Sequence, residues 1–198
     1  MVVKLFYAPG ACSLASHICL IEGKVQFEDE RVDLKTKLTA SGRDFRAVNA
    51  KGYVPALMLD SGEVVTENVA VLSYLAGEVP ALGVSGELGR IRLIEALAYL
   101  STEVHKRFQS LFSGAGPNEQ SKARASITYR LGYLADQMDD EYLFGDRPSV
   151  ADFYLFVMMR WASMFGVEIP TPLLALNKRL LARHSVRTAL KSEGLAAS

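Results

Sequence analysis

Two cysteines, three histidines and a Glu-Asn pair carry most of the reactive chemistry in this 198-residue chain. Cys12 follows the β-forming run Val2-Val3-Lys4-Leu5-Phe6-Tyr7 and the breaker Pro9-Gly10, and it opens a helix expected over 12–22. Amides at a helix start are unpaired, and the helix dipole adds partial positive charge. Both favour thiolate over thiol, which is how helix-start cysteines become reactive. Ser13 is placed to donate a hydrogen bond to the same sulfur. The competing reading is a small, buried apolar residue. Cys12-Ser13-Leu14-Ala15 has the form of a dithiol motif lacking its second Cys, so an intramolecular disulfide cycle is closed to it while a mixed disulfide with an external thiol is open. Cys19 lies mid-helix and reads as core. The two sulfurs sit two turns apart, about 10.5 Å of rise, beyond the roughly 7 Å Cα separation a disulfide spans. Both are expected to be reduced, as in a cytosolic protein.

Glu67-Asn68 opens a second helix directly after a strand. Asn tolerates unusual backbone angles and caps well, and free helix-start amides bind carboxylates; the alternative is a plain cap holding nothing. Val54-Pro55 starts a strand, where a proline marks an edge, and on base rates its bond is trans. His105 lies on an apolar helical stripe with Thr102 one turn before it. It reads either as a satisfied core histidine or as a donor or acceptor in a site. His17 shows no partner, and His184 reads as a helix C-terminal charge. Arg179, Arg183 and Arg187 form a basic face expected to be solvated. No spacing of His, Cys, Asp and Glu suits a metal, and the chain carries no phosphate-binding glycine loop and no nucleophile elbow.

These residues need elements to hold them. The first half alternates strand-like and helix-like pieces: strands at 2–7 and 27–33, a short helix near 42–49, the runs Pro55–Leu59 and Glu63–Thr66 around Asp60-Ser61-Gly62, which signal a hairpin, and a helix from about Glu67 to Ala76. The order βαβαββα is mixed α/β. Gly77 to Gly89 has linker composition, which sets domains at 1–79 and 90–198 with a linker at 80–89. Beyond it the period turns helical. Ile91, Ile94, Ala98, Ser101, His105 and Phe108 form one stripe and Leu93, Leu97, Leu100, Val104 and Leu111 a second, so this helix is expected to bury a wide face. Ile127, Leu131, Leu134 and Met138 mark another helix. Ser149-Val-Ala-Asp152 is a capping box opening a third, and shorter helices follow at Leu173–Arg183 and Val186–Lys191. The second half is all-α.

Composition narrows the function. Lys+Arg and Asp+Glu are 22 each, for a net charge of zero, which argues against a protein built to coat nucleic acid or an anionic membrane. The longest notable apolar run, Phe153 to Met159, is far short of the roughly 20 residues a spanning helix needs. The N-terminus starts a strand at once and lacks the pattern of an export signal, so the expected address is the cytosol.

The ordered set of motifs resembles the bacterial beta class of glutathione transferases nearly end to end. Its parts are Lys4-Leu-Phe-Tyr-Ala-Pro-Gly-Ala-Cys-Ser-Leu-Ala-Ser-His17, Lys51-Gly-Tyr-Val-Pro-Ala-Leu57, Thr66-Glu-Asn-Val-Ala-Val71, Thr102-Glu-Val-His-Lys106 and Ser149-Val-Ala-Asp152. The resemblance implies a thioredoxin-like N-terminal domain that binds glutathione as co-substrate, an all-helical C-terminal domain, a cytoplasmic homodimer and a role in detoxification. It implies a cis Val54-Pro55 bond that turns the Val54 backbone toward the cysteinyl part of glutathione, and Glu67 and Asn68 on the γ-glutamyl end. Cys12 should face the glutathione sulfur, with Ser13 nearby and Tyr7 at the place other classes use to activate the thiol. Lys37 should meet the glycine carboxylate. Thr102, Glu103 and His105 should line the site from the central helix, partly across the dimer interface. Tyr53, Asn68 and Ala98 depart from the usual pattern; Ala98 stands where many members carry a contributing Asn. The implied reaction joins the glutathione thiolate to a small hydrophobic electrophile held near Ala8, Phe108, Phe112 and Trp161. The rivals are thiol–disulfide exchange or peroxide reduction through Cys12, and a non-catalytic binder of hydrophobic ligands.

Overall fold

The structure, a computed structural model, describes residues 2–138 and 140–196; positions 1, 139, 197 and 198 of the expected domains lie outside them. Four strands, β1 (Val2–Tyr7), β2 (Gln26–Arg31), β3 (Ala56–Met58) and β4 (Val64–Thr66), form one sheet in the order β2-β1-β3-β4. β1 and β2 are parallel, and β3 runs antiparallel to both β1 and β4. The parallel pair requires a crossover, which α1 (Ser13–Glu22) supplies. β4 leads into α2 (Asn68–Glu78). Period-2 alternation divides β1 between two cores. Val3, Leu5 and Tyr7 face α1 and α2, while Phe6 joins Val32, Phe45, Val54 and Ala56 on the opposite face.

The helix expected near 42–49 is a single 3-10 turn, Phe45–Ala47. Phe45 is its only buried residue, so no apolar stripe exists to extend it. The Asp44 side chain caps it by accepting from the Arg46 amide at 2.9 Å. The order in the first half is therefore β-α-β-turn-β-β-α.

The second half is helical: α3 (Gly89–Tyr99), α4 (Gln109–Phe112), α5 (Pro117–Asp136), α6 (Val150–Met164), α7 (Thr171–Ala182) and α8 (His184–Ser192). Gly89 opens α3 so close to the preceding chain that an added Cβ would collide with the Val84 carbonyl. Between α3 and α4 the helix widens into a π turn, Leu100–Val104, and tightens into a 3-10 turn, His105–Phe108. This corrects the two-stripe expectation. Leu93, Leu97, Leu100, Val104 and Leu111 are buried, but Ile91 is 59% exposed and Ala98 is exposed. A π turn carries an extra residue per turn, so it rotates the side chains C-terminal to it. The stripe that begins outside at Ile91 ends with Ser101 and His105 at a cleft and Phe108 in the core.

α6 is the central post. Val150 to Met159 is buried throughout, which accounts for the apolar run, and no helix among the described residues is long and apolar enough to cross a membrane. The Asp152 carboxylate accepts from the Ser149 amide at 2.8 Å and the Ser149 hydroxyl accepts from the Asp152 amide, as the capping box requires. α1 packs against α2, α6 and α8, and one continuous apolar cluster joins the sheet to the helices. Arg183, expected to be solvated, ion-pairs with Glu22 of α1 across this junction. His184 opens α8 instead of closing a helix.

Candidate active site

A cleft of about 960 Å³ opens between the sheet's C-terminal loops and the faces of the α3–α4 segment and α6, near the upper end of ordinary ligand sites. Cys12, Val54, Glu67, Asn68, Thr102 and His105 line it, as do Ala8, Phe112 and Trp161. A smaller hollow of about 490 Å³ lies beside Glu22, Lys24 and Arg183, and no cysteine lines it.

The Cys12 loop is fixed from both sides. Gly10 sits at φ +70°, a left-handed conformation natural to glycine. Its amide donates to Glu193 Oε2 at 2.8 Å and its carbonyl accepts from Trp161 Nε1 at 2.8 Å. The other Glu193 oxygen lies 3.0 Å from His17 Nδ1, and Asp29 lies 3.7 Å from His17 Nε2. The histidine for which sequence offered no partner thus joins α1 to the C-terminal segment. One buried carboxylate ties the loop, α1 and the chain end together.

Ser13 does not reach the Cys12 sulfur. It is buried, and its hydroxyl accepts from the Ala8 amide at 3.2 Å, bracing the loop. Cys12 Sγ instead faces the Val54 carbonyl oxygen at 3.5 Å, and the Val54-Pro55 bond is cis. Burial pushes the Cys12 thiol up to about 12, outweighing the helix-start amides of Cys12 and Ser13 that favour its anion; the Glu67 charge adds to the rise. The expected thiolate is therefore a thiol in the free protein. Desolvation of the buried sulfur is the largest of these effects and outweighs the helix-start amides by itself.

Glu67 stands at φ +73°, a conformation uncommon for a side-chain-bearing residue and found at functional positions. Lys51 Nζ pairs with its Oε1, and the Tyr53 hydroxyl donates to the same oxygen at 2.9 Å. These bonds hold its carboxyl below the usual range. Asn68 begins the helix as its first residue instead of capping it. Its Oδ1 accepts from the Ser16 hydroxyl at 3.4 Å, and its Nδ2 is buried with no hydrogen-bond partner among the described residues. Such a donor costs about 1–3 kcal/mol when left unsatisfied, so it invites an acceptor.

The opposite wall is aromatic. Trp161 meets His105, Phe108 and Phe112 edge-on, with ring centroids 4.8, 5.4 and 5.0 Å away. Phe108 is fully buried and supports this wall from behind, so it does not line the cleft. His105 is half-buried, and desolvation pushes it down to about 4, leaving it neutral near pH 7. Its Nδ1 lies 2.7 Å from the Tyr154 hydroxyl.

Four more expected site residues do not line the cleft. Tyr7 points into the core against His17, 5.3 Å between centroids, because strand alternation sends its side chain to the α1 face. Lys37 donates to the Gly52 carbonyl at 2.8 Å. Glu103 turns to Arg130 and Arg107, at 2.9 and 3.3 Å. Pro55 acts only through the backbone it bends. Sequence reasoning missed Ser101, Lys106, Gln109 and Tyr154. Tyr154 lies two turns before Trp161 on α6, and that spacing was the available signal; inside an apolar run it reads as core.

A four-stranded sheet with a helical domain against it, and a cysteine, a cis-proline loop and a helix N-terminus converging on one cleft, define a thioredoxin-like, two-domain fold. Residues 1–77 match the glutathione S-transferase N-terminal domain and residues 100–183 the glutathione S-transferase C-terminal domain. The chain is 42% identical to glutathione S-transferase GstA of Escherichia coli O157:H7, over 98% of this chain and 100% of that protein. Among solved structures it resembles the bacterial beta-class enzyme of Sphingomonas chungbukensis at TM-score 0.88 and 43% identity, covering 98% of this chain and 100% of that one. A sphingomonad glutathione S-transferase complexed with glutathione matches at TM-score 0.90 and 41% identity, with the same coverage. The chain belongs to the glutathione S-transferase family.

Proposed function

We propose that this protein conjugates the glutathione thiolate to small hydrophobic electrophiles. The observation that carries the reading is the pairing, across one cleft, of a wall of polar donors with an aromatic wall. On the donor side, Asn68 Nδ2 and the first amides of α2 suit the γ-glutamyl carboxylate, and the second carboxylate oxygen of Glu67 suits its ammonium. The Val54 backbone suits the cysteinyl part. The glutathione sulfur then lies near the helix-start amides of Cys12 and Ser13. Its S–H proton leaves to solvent, the sulfur pair forms the new C–S bond, and the leaving group departs from the electrophile with the bond it held. Lowering the thiol pKa and orienting the two reactants is the chemistry required. Cys12, protonated in the free protein, serves as a thiol donor to that sulfur. His105 contributes a neutral imidazole and Thr102 a hydroxyl. Phe112 and Trp161 receive the electrophile.

In this reading residues 1–79 hold glutathione, 80–89 link, and 90–198 supply the electrophile's wall. The protein acts as a cytoplasmic homodimer in detoxification. Exposed Ile91, Tyr129 and Tyr133 on α3 and α5, two helices joined by the Tyr99–Tyr133 ring contact, support an apolar face for a second copy. The placement of Lys37 away from the cleft leaves the glycine carboxylate to the Lys106 ammonium, which lines it. Thiol–disulfide exchange through Cys12 remains the second reading because its sulfur lines the cleft. The test is glutathione-dependent conjugation of 1-chloro-2,4-dinitrobenzene above the uncatalysed rate, alongside reduction of a glutathione mixed disulfide. Cys12→Ala should cost conjugation only a few-fold and abolish the reduction. Loss of both together would overturn this division of roles.

A further inference from the structure

The two ring nitrogens of His105 meet different surroundings. Nδ1 lies 2.7 Å from the Tyr154 hydroxyl. Nε2 has no partner among the described residues, and the ring lines the cleft that Cys12 also lines. Tyr154 comes from the buried side of α6, and its other polar neighbours are Ser101 and Asn68. The Asn68 Nδ2 group can only donate and makes no hydrogen bond among the described residues, so it takes no hydrogen from the phenol. The Ser101 hydroxyl can accept as well as donate, but the short contact of the phenol oxygen is the one to His105 Nδ1, and it assigns the phenol O–H to that nitrogen. Burial acts in the same sense, keeping the imidazole neutral and raising the phenol pKa so that it stays protonated. A neutral imidazole that accepts at Nδ1 carries its proton on Nε2.

We propose that Tyr154 is a positioning residue that fixes His105 as its Nε2–H tautomer, so that the ring gives a hydrogen bond into the cleft toward the sulfur anion. The opposite tautomer would turn a lone pair to that anion and repel it. Preorganised donors aimed at developing charge act most strongly in a site that excludes water. Tyr154 itself need not touch either substrate. This inference rests on the conjugation reading, and it assigns work to a tyrosine that the apolar run around it marks as core.

Nitrogen-15 NMR of protein labelled at its histidine rings tests it without turnover. The wild type should show His105 with a protonated Nε2 and an unprotonated Nδ1. Tyr154→Phe, which deletes one oxygen, should give a mixed pattern while near-ultraviolet circular dichroism stays unchanged. With glutathione and 1-chloro-2,4-dinitrobenzene, Tyr154→Phe should lower kcat about tenfold, the worth of one hydrogen bond, with KM for glutathione within twofold. In a His105→Ala background the same change should alter kcat less than twofold. A wild-type ring protonated at Nδ1 overturns the proposal, as does a Tyr154→Phe loss of equal size with and without His105. Failure of the conjugation reading would look different: no turnover in the wild type, with the tautomer still readable.

Discussion

The two walls of the cleft are made of different material. The wall around Cys12, Val54, Glu67 and Asn68 is loop and helix-start backbone, fixed by unusual local conformations: φ +70° at Gly10, φ +73° at Glu67 and a cis bond before Pro55. The wall around His105, Phe112, Tyr154 and Trp161 is side chain, carried on two helical segments far apart in sequence. A wall of backbone donors recognises one polar ligand closely, because hydrogen bonds are directional and an unmet buried donor is costly. A wall of aromatic faces grips by area and shape and tolerates many partners. On the conjugation reading proposed above, the first wall takes glutathione and the second a broad set of electrophiles.

The walls meet at Gly10, whose carbonyl accepts from Trp161 Nε1 and whose amide Glu193 holds, and removing Glu193 should produce the largest effect. Glu193→Ala leaves His17 Nδ1 and the Gly10 amide without their buried acceptor, and a buried donor left unsatisfied costs about 1–3 kcal/mol. Urea denaturation should show this loss; a change under about 1 kcal/mol would mean the Cys12 loop stands without its clamp.

Acid and base should strain the walls from opposite ends. His105 is held down to about 4 against an ordinary 6.5, so the unfolded chain takes up its proton first. Its contribution is whole above pH 6.5 and is lost as pH falls toward 4, up to about 3 kcal/mol. Cys12 is pushed up to about 12 from 9.0, so the unfolded thiol ionises first and stability declines as pH rises above 9. Unfolding midpoints across pH 4–10 check both. His105→Asn should flatten the acid limb; equal slopes in variant and wild type would remove His105 from the account.

Smaller changes separate the walls kinetically. Glu67→Gln should raise KM for glutathione about tenfold or more, since a charged hydrogen bond is worth about 1.5–3 kcal/mol, and leave KM for the electrophile within twofold. Phe112→Ala should do the reverse, raising KM for aromatic electrophiles several-fold as an aromatic pair of about 0.5–1.5 kcal/mol is lost. Phe112 is 52% exposed, so the fold should tolerate the change. If either variant moves both KM values equally, the walls are not separate sites.

The polar wall was the more legible of the two in the sequence. Strand, breaker and helix start announce Cys12, and hairpin and helix start announce Glu67-Asn68, because turn chemistry is local. What misled there was electrostatic: the helix end at Cys12 suggested an anion, whereas burial and Glu67 together hold the proton. Ser13, Tyr7, Lys37 and Glu103 stood in the right motifs but turned to Ala8, to the core, to Gly52 and to Arg130.

Sequence alone determined the change of period that separates sheet from helices, the hairpin, the capping box at Ser149 and the motif order that marks the family, since each depends on neighbours a few residues apart. Only the tertiary structure decided that a π turn rotates His105 to the cleft, that Tyr154 reaches it from α6, and that Glu193 at the far end of the chain holds His17 and the Cys12 loop. Those facts join residues 49 and 176 positions apart, and the burial and charge that govern their protons exist only once the two halves are packed together.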